Sequence, residues 1–166
     1  MILGMSVSSF TTLHVIISLI GIVSGFIVLY GLFSVKKLAA WTALFLTTTV
    51  LTSVTGFFFP ATAVLPSHIV GVISLVVLAI AIFALYGRHL AGAWRWIYVV
   101  TALIALYLNV FVGVVQAFQK LAFLKPLAPT QSEPPFLVAQ IAVLAIFVLA
   151  GILTVRKYHP ELKVPA

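Results

Sequence analysis

Cysteine is absent from the 166-residue chain, and acid nearly so, with two Asp or Glu against nine Lys or Arg. The first absence removes thiol nucleophiles, thiolate metal ligands, iron–sulfur clusters and disulfide scaffolds. The second removes the buried carboxylate that would orient a catalytic histidine. It also removes the intramembrane Asp or Glu that a proton-coupled transporter usually carries. Charge of either sign is scarce, at 7% of residues, where soluble domains carry roughly 25%. There is no Gly-rich phosphate loop and no tight His-x-x-x-His or Glu-x-x-His spacing. A soluble globular domain, a disordered chain and a nucleic-acid partner are all excluded by this composition, and no enzyme is expected.

What is present is hydrocarbon. Hydrophobic residues make up 64% of the chain, and the mean hydropathy is +1.32. A helical span needs ~20 apolar residues to cross ~30 Å of lipid. Five runs with uncharged interiors qualify, at about 9–33, 39–59, 67–87, 95–118 and 136–155. Lipid offers the backbone no hydrogen-bond partner, so these runs must be helices. A barrel would instead alternate in polarity over ~10-residue segments. Met1 to Ser9 carry no Lys or Arg, and the run that follows is too long for a signal sequence. It reads as a retained first span. The expected fold is all-α and polytopic, a single transmembrane domain of five helices, with a four-helix bundle and a fifth span packed alongside.

Lys36, Lys37, Arg88, Arg95, Arg156, Lys157 and Lys163 fall on one side of these spans, and only Lys120 and Lys125 on the other. Cytoplasmic loops collect Lys and Arg, so the N-terminus is expected outside and the C-terminus in the cytoplasm. Trp41, Trp94 and Trp96 belong to the same cytoplasmic interface, whereas the outer rim is Phe57, Phe58, Phe59, Phe118 and Phe136. A weak internal repeat pairs Ile17-Ser18-Leu19 with Ile73-Ser74-Leu75 and Leu29-Tyr30-Gly31 with Leu85-Tyr86-Gly87. It suggests two tandem helical hairpins followed by the fifth span.

Polar side chains inside a membrane are costly and are the first pointers to a site. Counted from the cytoplasmic charges at ~1.5 Å per residue, His14, His68 and Gln116 lie at one depth near the outer interface. Thr52, Asn109 and Gln140 form a second layer just below. The inner half is nearly all hydrocarbon, which argues against a through-going aqueous path and for a pocket opening outward. The candidate ligand-binding residues are therefore His14, His68, Asn109, Gln116 and Gln140. Small-residue stripes run beside them: Ser18, Gly21 and Gly25; Thr48, Thr52 and Thr55; Gly71 beneath His68. Such stripes also serve plain helix packing.

Two histidines at one depth on parallel spans suit a bis-histidine haem b or a metal ion, so His14 and His68 are the candidate metal ligands. The competing reading has each histidine capping its helix or bonding the outer loop. Four stretches, Leu51 to Phe57, Trp94 to Val99, Ala105 to Asn109 and Ala128 to Phe136, resemble a group of small multi-pass bacterial inner-membrane proteins with no assigned activity. That resemblance implies a location in the bacterial inner membrane and no substrate or cofactor. Two functions stay open. One is a protein that binds a small ligand, haem or metal in an outer-leaflet pocket. The other is a non-catalytic accessory subunit that meets a membrane-protein partner, or further copies of itself, in the lipid bilayer.

Overall fold

A computed structural model of the chain describes residues 1–60 and 66–159. Lys163 lies outside the described residues. Five long helices follow in order: α1 (Val7–Phe33), α2 (Ala39–Gly56), α3 (Pro66–Ile82), α4 (Trp94–Lys120) and α5 (Pro134–Lys157). A π-helical turn, Phe83–Gly87, prolongs α3, and a short 3-10 turn, Lys125–Leu127, lies between α4 and α5. Among the described residues the only β feature is one bridge between Ile2 and Met5. With α3 taken through Gly87, all five helices are long and apolar enough to cross a membrane.

The helix ends explain where the spans differ from expectation. Ser6 caps α1 by accepting a bond from the Ser9 amide at 3.1 Å, which starts the helix two residues early. α2 stops at Gly56 rather than running to 59, and Phe57 to Phe59 turn out of it. Pro134 and Pro135 do not merely end the preceding loop: they occupy the first turn of α5, where a missing N–H costs no helical bond. α1 and α4, at 27 residues each, are about 40 Å long, and α2, at 18 residues, about 27 Å. Against ~30 Å of hydrocarbon, α2 just spans, while α1 and α4 must tilt or extend into the interface.

α1 packs most extensively on α2, and α3 on α4; α2 on α3 and α1 on α4 close the ring. α5 lies outside it, chiefly against α4. This is the four-helix bundle plus one, and its two tightest pairs are the hairpins that the repeat marks out. The repeated serines do different things. Ser18 donates to its own helix at His14 O, 2.7 Å away, whereas the Ser74 hydroxyl meets Ser53 of α2 at 3.0 Å.

The bundle has two unlike halves. Toward the end that carries the α1–α2 and α3–α4 connections, called the basic end below, the core is mainly apolar, with Thr42 and Thr154 as buried polar exceptions. Phe45, Leu78, Ala81, Ala84, Val99 and Leu106 are all fully buried there. Toward the opposite, N-terminal end, the buried residues include Ser24, Thr48, Thr49, Ser53 and Ser74. α4 records the change along its own length: its buried residues cluster between Tyr98 and Leu106, whereas 107–115 are all only half-buried.

Candidate functional site

The N-terminal half of the bundle holds a cavity of about 90 Å3 between α1, α2, α3 and α4. His14 of α1, Thr52, Ser53 and Gly56 of α2, Ser67 and Ser74 of α3 and Asn109 of α4 all line it, with Val70, Leu108 and Val112 as its apolar wall.

The α2 wall explains the others. A threonine within a helix can direct its hydroxyl proton to the carbonyl four residues back. Thr48 does so to Leu44 at 2.7 Å, Thr52 to Thr48 at 2.9 Å and Thr55 to Leu51 at 2.6 Å. The outward lone pairs of such hydroxyls then form a row of acceptors, and donors from other helices dock on α2. His14 Nδ1 lies 2.7 Å from Thr55 Oγ1, and Asn109 Nδ2 donates to Thr49 Oγ1 at 3.2 Å. The Thr55 proton is already engaged by Leu51, so the His14 bond requires a proton on Nδ1. That assignment leaves Nε2 of a neutral His14 as a lone-pair acceptor.

Gly21 holds the far side of this contact. A Cβ there would meet Asn109 Nδ2 at 3.2 Å and the Thr48 and Thr49 hydroxyls at 3.3 Å. One turn on, a Cβ on Gly25 would overlap Leu106 and press on the Phe45 ring at 3.0 Å. The Gly21-x-x-x-Gly25 face is thus buried within the chain.

The five sequence candidates separate. His14 and Asn109 share the cavity, while His68, Gln116 and Gln140 are not among its lining residues. Each histidine meets a different phenylalanine of the turn after α2. The His14 ring meets Phe59 edge-on at 5.2 Å, and the His68 ring stacks on Phe57 at 5.6 Å and 18°. Phe57 in turn sits in the notch left by Gly71, where a Cβ would be 3.0 Å from its ring. Gln116 is exposed, with Nε2 3.4 Å from Gln119 Oε1. Gln140 is buried on the α4–α5 seam, where Nε2 donates to Phe111 O at 3.2 Å and Oε1 has no partner among the described residues.

This geometry bears on the two cofactor expectations. A porphyrin needs a slot far larger than the space here: pockets for drug-sized ligands begin at ~300 Å3, against about 90 Å3. His14 lines the cavity and His68 does not, and among the described residues no three His, Cys, Asp or Glu come together. Sequence reasoning found the Thr48, Thr52 and Thr55 row but missed Thr49 and Ser53, which lie on the adjacent row of the same helix. Their four-residue spacing was the available signal. No known protein family matches this chain, and neither a curated protein nor a solved structure does.

Proposed function

We propose that the chain is an integral protein of a bacterial inner membrane, N-terminus outside and C-terminus in the cytoplasm, that binds a small neutral hydrogen-bond donor in its outer-half cavity. The orientation draws on the excess of Lys and Arg at the basic end. The ligand class draws on one contact above all: His14 Nδ1 lies 2.7 Å from the Thr55 hydroxyl, whose own proton is directed to Leu51 O, which assigns the ring proton to Nδ1 and leaves Nε2 an acceptor. Size sets the scale. A cavity of about 90 Å3 matches roughly three water volumes. Charge is set by what is missing, because no carboxylate lines the cavity to neutralise a cation.

The test compares two probes of equal size, acetamide and acetone, in thermal unfolding of the purified protein in neutral-lipid nanodiscs. A ligand at a hundred times its Kd adds about 2.7 kcal/mol, so acetamide should raise the midpoint by several degrees, and acetone, which only accepts, should not. Asn109→Ala should remove that shift while lowering basal stability by only about 0.6 kcal/mol, the usual worth of a hydrogen bond between membrane helices. Equal effects of the two probes would refute the donor reading.

The accessory-subunit reading draws on α5, which meets the bundle mainly through α4 and exposes Leu137, Val138, Ile141, Ile146, Leu149 and Leu153. A membrane partner that co-purifies in mild detergent, and is lost when these positions are changed, would favour it.

A further inference from the structure

The basic end of the bundle holds a second cavity, of about 260 Å3, which the small-ligand reading leaves unused. Two connections converge on it. The α1–α2 connection brings Lys36 and Lys37 to its lining, and the α3–α4 connection brings His89. Thr42, Tyr98 and Tyr158 line it from α2, α4 and the C-terminal cap of α5, with Thr42 and Tyr98 hydrogen-bonded to each other. Leu32 and Leu90 give it an apolar floor. Among the described residues the only acid is Glu133, at the opposite end of the bundle; Glu161 lies outside them. The lining is thus cationic and rich in hydroxyls over a hydrocarbon base.

The backbone that builds this mouth is unusual. Val35, His89 and Leu90 all take left-handed conformations, with φ of 55°, 50° and 60°. Residues with side chains rarely do so, β-branched valine least of all. Such conformations persist only where the surroundings impose them, and they cluster at ligand sites and clamps. Here Lys36 N bonds Gly31 O at 2.8 Å, and Leu90 N reaches back to Ala84 O at 3.0 Å. The second bond follows directly on the π turn Phe83–Gly87, a form that recurs at functional sites. The two curled connections present Lys36, Lys37 and His89 to one space.

We propose that this pocket binds a phosphate group, carried by a soluble phosphate or by an anionic lipid headgroup. Lysine ammonium groups serve phosphate as point charges, and the hydroxyls add neutral donors. The Lys36 ammonium lies 5.9 Å from the centre of the Tyr30 ring, a weak cation–π contact at an exposed site that a phosphate would compete with. The position suits either source: it opens at the end where the Lys and Arg residues gather, and its floor is apolar.

The experiment uses the full chain in nanodiscs of zwitterionic phosphatidylcholine at fixed ionic strength. Inorganic phosphate is titrated in one arm, and phosphatidylglycerol is doped in the other, with the unfolding midpoint as the readout. A response to phosphate assigns a soluble ligand, and a response to phosphatidylglycerol alone assigns a lipid. Lys36→Gln with Lys37→Gln should weaken the responding probe at least tenfold. Arg156→Gln with Lys157→Gln removes equal charge from the same end but outside the proposed contacts, and should leave it within twofold. If neither probe shifts the midpoint, or if both double variants lose the response equally, the pocket is not a phosphate site. Should the lysine variant fail to fold, His89→Gln in its exposed loop replaces it: a severalfold loss is expected, and unchanged affinity overturns the proposal.

Discussion

Gly21 and Gly25 lie one turn apart on α1, yet they face different chemistry. Gly25 admits the Leu106 side chain and the Phe45 ring; Gly21 admits the Asn109 amide and the hydroxyls of Thr48 and Thr49. The first contact works by shape, because lipid is as apolar as leucine and gives helices no hydrophobic reason to associate. The second works by direction, because Asn109 Nδ2 must find Thr49 Oγ1. A core held by shape can close locally, as around Leu78, Ala81 and Val99, with the larger basic-end pocket left where the connections begin beyond it. A core held by directed bonds stops where its donors and acceptors are matched, and the space left over is the cavity of His14 and Asn109.

The most direct way to break that contrast is to add the same kind of bulk to both glycines. Gly25→Ala should cost the most, about 1–3 kcal/mol of overpacking, since the Leu106 side chain already occupies the space of its Cβ and the Phe45 ring lies 3.0 Å from it. Gly21→Ala should cost under about 1 kcal/mol, because its neighbours begin at 3.2 Å and Asn109 can retreat toward the cavity. Thermal unfolding in one detergent ranks the pair, and equal losses would mean that the two halves pack alike.

The two halves were unequally legible in the sequence. Five apolar runs were enough for the spans, because length against bilayer thickness leaves few alternatives. The polar layer was visible because Asn109 and the threonines stand out in so apolar a chain. Depth, however, is only one coordinate. Counting residues set His14 and His68 level but said nothing about direction around each helix axis. The stacking of His68 on Phe57 depends on a turn that begins where α2 stops at Gly56. The basic-end pocket was hidden for a related reason: its lysines already had a sufficient explanation in topology. The left-handed Val35, His89 and Leu90 have no sequence signature, since none is Gly or Asn.

A smaller effect tests whether every polar group in the N-terminal half is fully matched. Gln140 has one bond, to Phe111 O, and a buried Oε1 without a partner among the described residues. A lone buried acceptor costs about 1–3 kcal/mol, more than the ~1 kcal/mol its amide bond contributes. Gln140→Leu should therefore raise stability by roughly 1 kcal/mol. A loss of stability would show that Oε1 meets a bound water or another molecule, making the α4–α5 seam a second polar site.

The smallest effect is the one most easily followed with pH. Glu133 occupies the N-cap position of α5, outside the spans, and its carboxylate bonds the preceding loop rather than the helix: it accepts from the Thr130 amide at 3.1 Å, the Thr130 hydroxyl at 2.9 Å and the Ser132 amide at 3.1 Å. Slight desolvation pushes its pKa up, but these bonds to the charged form outweigh it and hold the carboxyl below its ordinary value of 4.5. The sign follows from linkage: a group whose pKa is lower when folded stabilises the fold above its unfolded pKa, and that contribution fades as pH falls through the folded value. Glu133→Gln keeps the shape and removes the charge. The gap between the unfolding midpoints of wild type and variant should be constant at neutral pH and shrink as pH falls below the ordinary carboxyl value of 4.5. Glu133 sits at the start of the helix that lies outside the ring, so the gap should be small and should leave the acetamide response of the His14 cavity unchanged. A gap independent of pH would mean that the Pro134–Pro135 start of α5 needs no carboxylate, and that the loop before it is held by the Thr130–Ser132 hydroxyl contact at 2.6 Å instead.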